Sequence, residues 1–236
     1  MTAKYRFDCT IEYKASCRCL GLTINNRLSW QQHTRNVCDS FSKNVAVLKR
    51  IKFLPKPVLQ TIYYRTILPS VLYGIVVWGS CSPSLLEDID RIYLRATKII
   101  YSFPRDIHST DVRNLPLWTP IIQFYIKRLL TISFNIYIDT CIDPLRDLIV
   151  KSTSNYNLRK FAYLEVPSPR TEIFGRSSFK HRAALCWNLL PNSCKRSSSL
   201  GYFKKFLKEN KNFHNSISFD KASCIVSFKS PDFKYF

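Results

Sequence analysis

From Thr66 to Leu86 the chain runs 21 residues without a charged side chain. A stretch that long belongs either in a bilayer or in a protein core, and the choice constrains everything packed around it. Composition selects the core. Pro69, Gly74, Gly79 and Pro83 interrupt the run, and its strongest apolar part, Val71 to Trp78, is 8 residues long. A membrane-spanning helix needs roughly 20. The sequence therefore predicts a buried helix ending in a tight turn near Gly79, with the flanking segments folded against it.

Those flanks are helical by periodicity. Trp30, Val37, Phe41, Val45 and Leu48 recur at helical spacing behind Ser29, a residue type suited to an N-cap. Pro55 and Pro57 end that helix and open the next, whose inner side is Val58, Leu59, Ile62, Tyr63 and Ile67. Ser84-x-x-Glu87 has the capping-box pattern and introduces a helix with Leu85, Ile89, Ile92, Ala96 and Ile99 inward. Phe103 to Asp111 reads as a loop. Ile121 to Tyr137 is apolar on most sides and belongs at the centre, and Leu145 to Val150 adds about a turn. Phe179, Ala183, Trp187 and Leu190 mark a further helix ending at Pro191, and a Lys-rich helix runs from Leu200 to Asn210. Strand signal is confined to the start, where Leu20, Leu22 and Ile24 alternate before a turn at Asn25-Asn26. The expected fold is mainly α with a short N-terminal β segment. Its divisions are 1–28, a helical body over 29–150, a linker over 151–175, and a basic helical region over 176–236, whose tail from 211 lacks periodicity.

Charge points to the partner. Lys and Arg number 36 against 16 Asp and Glu, a formal net charge of +20. Such a chain seeks polyanions: nucleic acid first, an anionic membrane surface second, with a merely soluble basic protein as the plain alternative. Arg91, Arg95 and Lys98 stack on one helical stripe, a spacing suited to successive phosphates, although Glu87 and Asp88 lie one turn earlier and can pair with them. Lys43, Lys49, Arg50 and Lys52 sit mostly off the apolar face of their helix, as either a solvated or a phosphate-contacting surface.

Chemistry is sparse by contrast. Phosphoryl transfer needs carboxylates converging on magnesium, and Asp88 and Asp90 diverge at i and i+2 of a helix. Cys17-x-Cys19, His33 and Cys38 have the wrong spacing for a zinc knuckle. With 5 glycines there is no Gly-rich phosphate loop, and none of the four histidines stands in a nucleophile motif. Nine irregularly spaced cysteines and an N-terminus without an apolar signal segment suggest reduced thiols and an intracellular protein of nucleus or cytoplasm. No catalytic residue and no metal ligand is assigned.

Several landmarks, in order, carry a family resemblance. Cys19-Leu20-Gly21-Leu22-Thr23-Ile24 looks like a YLG-x-x-x-D strand, and Leu28-Ser29-Trp30-x-x-His33 like LxWxxHI. Leu68-Pro69, Tyr73 and Val77-Trp78-Gly79 are similar to LP-x-x-x-YG-x-x-xWG, and Arg95 to Ile100 to RAARII. Leu117-Trp118 looks like the L-x-W before the next helix. Pro169-Arg170-Thr171, Arg176-x-x-Phe179-x-x-Arg182-Ala183-Ala184-x-x-Trp187-Asn188-x-Leu190-Pro191 and Phe203-Lys204 look like the terminal RxSFxxRGAxLWNxLP…FK segment. Together these resemble the C-terminal part of the reverse transcriptase of LINE-type (non-LTR) retrotransposons of the jockey and CR1 kind, over residues 19 to about 208. Cys19, Asn25, Tyr93 and Ala183 depart from that pattern, as a drifting copy would.

The resemblance implies that the catalytic Phe/Tyr-x-Asp-Asp turn, with its magnesium, belongs to a palm upstream of these residues. It also implies that 1–28 is a palm remnant with a primer-grip-like strand at Leu20 and Gly21, and that the helices form a thumb. The expected function is that of a truncated RNA-directed DNA polymerase, holding an RNA/DNA template–primer duplex beside the palm and fingers of the same polyprotein, inactive alone and binding no cofactor itself. The nucleic-acid-binding residues expected are Lys43, Arg50, Arg91, Arg95, Lys98, Arg176, Lys180 and Arg182. The competing expectation is a non-catalytic basic helical module for a protein or anionic membrane surface.

Overall fold

The computed structural model describes residues 14–104, 106–115, 118–152 and 162–210, and the backbone of 217–219 and 226–228. Met1 to Tyr13, Arg105, Pro116 and Leu117, residues 153–161 of the expected linker, and most of the tail from 211 lie outside the described residues. The fold is mainly helical, with a short antiparallel β-pair at its N-terminal end. No helix among the described residues is long and apolar enough to cross a membrane.

Strand β1 (Ser16–Cys19) pairs with β2 (Leu22–Asn25) in the register Cys19↔Leu22, so Leu20 and Gly21 are the two-residue turn between them. Both have positive φ, 46° and 82°. This geometry matches the right-handed twist of the strands it joins and is open to Gly21 without strain. The alternation of Leu20, Leu22 and Ile24 thus misplaced Leu20, which leaves the ladder and is 85% exposed.

Helix α1 (Gln31–Arg50) starts one residue later than a Ser29 cap would place it, behind a left-handed Trp30. Asn25 captures Ser29 instead: the Ser29 N–H donates to Asn25 Oδ1 at 2.9 Å and Asn25 Nδ2 donates to Ser29 Oγ at 2.7 Å. Helices α2 (Lys56–Ile62) and α3 (Leu68–Val71) are joined by a π turn, Tyr63–Ile67, with right-handed backbone at the junctions. The cause is Pro69, which has no N–H to give and whose ring would crowd the Arg65 carbonyl; widening the turn before it relieves the contact.

The uncharged stretch is not one helix. Gly74, at φ 63°, breaks it, and α4 (Ile75–Trp78) restarts at once. Helix α5 (Pro83–Ile100) begins with Pro83 in its first turn behind Ser82, so Ser84 lies inside the helix and its hydroxyl meets Ser82 Oγ rather than forming the expected capping box. The segment read as a loop contains a short α6 (Ser109–Arg113).

Helix α7 (Ile121–Tyr137) is the central rod, burying Tyr125, Ile126, Leu129, Leu130 and Phe134 completely. Its N-terminus is tied to α5, where Asp90 Oδ1 accepts the Ile121 N–H at 3.0 Å. After α8 (Asp143–Arg146) the chain returns through a second π turn (Glu172–Arg176) to α9 (Phe179–Asn188), α10 (Asn192–Lys195) and α11 (Leu200–Glu209). Phe203 of α11 stacks on Phe134 at 4.4 Å, with Trp187 of α9 6.1 Å from Phe203. A second hairpin, β3 (Ile217–Phe219) with β4 (Val226–Phe228), follows.

Candidate nucleic-acid interface

The hairpin tip rests on the break at Gly74. Tyr73 Oη donates to the Leu20 carbonyl at 3.0 Å, and a methyl group on Gly74 would stand 2.8 Å from Leu22 Cδ2. The residue after β2's first position is held from α1: the Thr23 N–H donates to His33 Nδ1 at 3.4 Å, and Asn36 Nδ2 donates to Thr23 Oγ1 at 3.3 Å. With Nδ1 accepting, the neutral ring keeps its proton on Nε2, which is buried without a hydrogen-bond partner, and His33 lies edge-on to Trp78 with centroids 5.6 Å apart. Burial lowers the His33 pKa below its ordinary 6.5. Trp78 in turn donates from Nε1 to the Tyr73 carbonyl at 2.8 Å.

Between hairpin, α1 and α3 lies an open cleft of about 420 Å³. Arg18, Asn36, Ser40, Ser70 and Tyr73 are among its polar groups, beside Thr23 and His33, and Gly21 forms part of the wall. One guanidinium among hydroxyls and an amide suits a sugar–phosphate group. Nothing local in the sequence points to this cleft, because Arg18, Asn36 and Ser70 come from three separate elements.

The expected phosphate contacts divide in space. Lys43, Arg50, Arg91 and Arg95 are exposed on α1 and α5, which pack on each other. Arg91, exposed, is partly neutralised by the half-exposed Asp88 at 2.7 Å. The half-buried Lys98 donates to the Ile107 carbonyl at 2.7 Å and holds the loop after α5. Arg176 and Lys180 are half-buried at the start of the C-terminal region, away from that pair of helices in the chain.

Arg182 is not at the surface at all. It is 3% exposed, donates from Nη2 to the Ser80 carbonyl at 3.3 Å, and lies with its guanidinium 6.0 Å from the Tyr125 ring centre. A phosphate outside the protein does not reach it; its role is to tie α9 to the turn after α4. Periodicity could not separate it from Lys180, since a cation on a predicted amphipathic helix reads as solvated.

Among the described residues no group of three or more His, Cys, Asp or Glu side chains gathers to hold a metal. Cys17 and Cys19 are exposed on β1, whereas burial and the nearby Asp88 and Asp39 push the Cys38 thiol up to about 11. Asp90, half-buried beside the α7 N-terminus, is pushed up to about 6, chiefly by burial and against the Ile121 N–H bond.

No family model, curated protein or solved structure matches the chain.

Proposed function

We propose that the chain is the primer-grip, thumb and downstream part of a LINE-type reverse transcriptase, holding template–primer duplex through the cations of α1 and α5 rather than forming phosphodiester bonds. One observation carries this reading. The residues of the resemblance, drawn from separate segments, support one another: Leu20-Gly21 meets Tyr73-Gly74, His33 meets Trp78, and Trp187 meets Phe203. A methyl group on Gly79 would stand 2.5 Å from the Tyr125 ring, so the Trp-Gly pair is packed as closely as the Tyr-Gly pair. A set of short motifs assembled by coincidence would have no reason to be in mutual contact.

The surface suits a sequence-blind grip. Exposed Lys and Arg on rigid helices bind phosphates and release counterions without reading bases. The sequence holds no adjacent pair of aspartates for magnesium. Primer extension with purified chain, primed template, magnesium and deoxynucleotides is expected to show no incorporation, while the same primed template is bound; incorporation would overturn the non-catalytic half.

A second reading, a basic module for a protein partner, is favoured by one feature. An apolar groove of about 450 Å³ runs between Leu28, Trp30, Val77, Leu145 and Phe174, with Leu28, Val77 and Phe174 each roughly half exposed. Charge reversal of Lys43, Arg50 and Arg95 separates the two: duplex binding is lost under the first reading and unchanged under the second.

A further inference from the structure

One end of the helical body gathers cations and aromatic rings beyond those of the cleft and the α1–α5 surface, with Arg50 at the border of the two. From Lys49 to Leu86 the chain holds five cations, Lys49, Arg50, Lys52, Lys56 and Arg65, and no carboxylate. Between α1 and α2, Phe53 projects with 79% of its surface exposed, the most exposed aromatic ring among the described residues. From the start of α2 the groups are ordered. Lys56 Nζ stands 4.3 Å over the Tyr101 ring, Gln60 Nε2 donates to Tyr101 Oη at 3.2 Å, and Phe103 stacks on Tyr101 at 6.0 Å and 21°. Lys98, bonded to the Ile107 carbonyl, fixes the loop that carries Phe103. The nearest carboxylate along that loop is Asp106.

We infer that this end is a second nucleic-acid contact, specific for unpaired nucleotides, in which Phe53 stacks on a base while Lys49, Lys52 and Lys56 hold the flanking phosphates. The inference rests on the proposed nucleic-acid function and names the strand state that this end takes. A base inside a duplex has both faces covered by its neighbours, so a projecting ring reaches only an overhang, a loop or a frayed end. Stacking is tolerant of sequence because every base has a π face, and a surrounding set of cations supplies the backbone attraction. An anionic membrane would also draw the cations. It is the poorer fit, because Phe53 alone projects far, while Val47, Val58 and Tyr64 are each only about half exposed and Tyr101 and Phe103 are half-buried and held by hydrogen bonding and stacking.

The test compares a labelled blunt RNA–DNA duplex with the same duplex carrying a short single-stranded overhang, by fluorescence anisotropy, for the full chain and for Phe53→Ala and Phe53→Trp. Phe53 is exposed, so both variants are expected to keep the wild-type circular-dichroism spectrum and melting temperature. Wild type should prefer the overhang by about ten-fold, the effect of one stacked base. Phe53→Ala should lose that preference while binding the blunt duplex as before, and Phe53→Trp should keep it, with tryptophan emission quenched on binding. Equal wild-type affinity for blunt and overhang duplexes, or a preference that survives Phe53→Ala, overturns this inference and leaves the duplex-binding function standing. Phe53-dependent binding to phosphatidylserine vesicles with no overhang preference assigns the end to a membrane and overturns it as well. Absence of binding to either duplex overturns both.

Discussion

At the scale of single residues, glycines and buried polar groups carry the specificity of this fold. Gly74 is needed twice over, for its positive φ and because Leu22 of the hairpin occupies the space of a side chain. Gly74→Ala is expected to destabilise the protein by about 1–3 kcal/mol in chemical denaturation; an unchanged midpoint would show that the hairpin is not seated there. His33 and Asp90 make opposite contributions to pH dependence. The folded state keeps His33 neutral below its ordinary 6.5, so its stabilisation is present above that pH and falls away as acid protonates it. Asp90 titrates near 6 rather than 3.8, so its contribution is largest below 3.8 and is lost as pH rises through 6. Asp90→Asn should therefore stabilise at pH 7.5 by about 1 kcal/mol, since an amide oxygen still accepts the Ile121 N–H, and Asp90→Ala should not. Denaturation of the three proteins at pH 7.5 checks this, and a destabilised Asp90→Asn would contradict it. Of these residues the sequence marked His33 and Arg182 as landmarks and Gly74 as a break in the uncharged run, but was silent on why; nothing local in Asp90 or Arg182 announces a partner 31 or 102 residues away.

At the scale of elements, periodicity located the long helices and missed the joints. Helix α7 matches its expected limits, Ile121 and Tyr137, because an apolar pattern sustained over several turns leaves few alternatives. The π turn at Tyr63–Ile67, the break at Gly74 and the turn at Leu20-Gly21 each depend on one or two residues whose backbone is decided by a contact from elsewhere. The hairpin illustrates the energetic consequence. All of β1 is exposed and the pair is held to the body by Leu22, the His33 and Asn36 contacts to Thr23, and the Tyr73 hydroxyl. Two strands with so little buried surface are marginal alone. Native-state hydrogen exchange should show the amides of β1 and β2 opening well below the global free energy, and those of α5 and α7 only with global unfolding. Tyr73→Phe should lower hairpin protection further, by about 1 kcal/mol, with little effect on α7. Uniform protection across hairpin and α7 would mean that the hairpin belongs to the cooperative core.

At the scale of the whole molecule, the net charge of +20 was legible from composition, but its arrangement was not. A list of cations gives the attraction to polyanions; the fold decides which of them can touch one. Burial withdraws Arg182, a backbone carbonyl engages Lys98, and Asp88 offsets Arg91, whereas Lys43, Arg50 and Arg95 remain outside on two packed helices. Removing one exposed cation, as in Lys43→Gln or Arg95→Gln, should weaken duplex binding for all sequences alike and reduce the magnitude of the salt slope by about 1, whereas a conservative change at Arg182 should act through stability instead. Whether these cations hold a phosphate backbone decides the proposed function, and the direct measurement is the affinity for a blunt RNA–DNA duplex over a series of salt concentrations. A straight log–log line with a steep negative slope, equivalent to several displaced counterions, is the predicted result, and affinity that stays flat as salt is raised would contradict it.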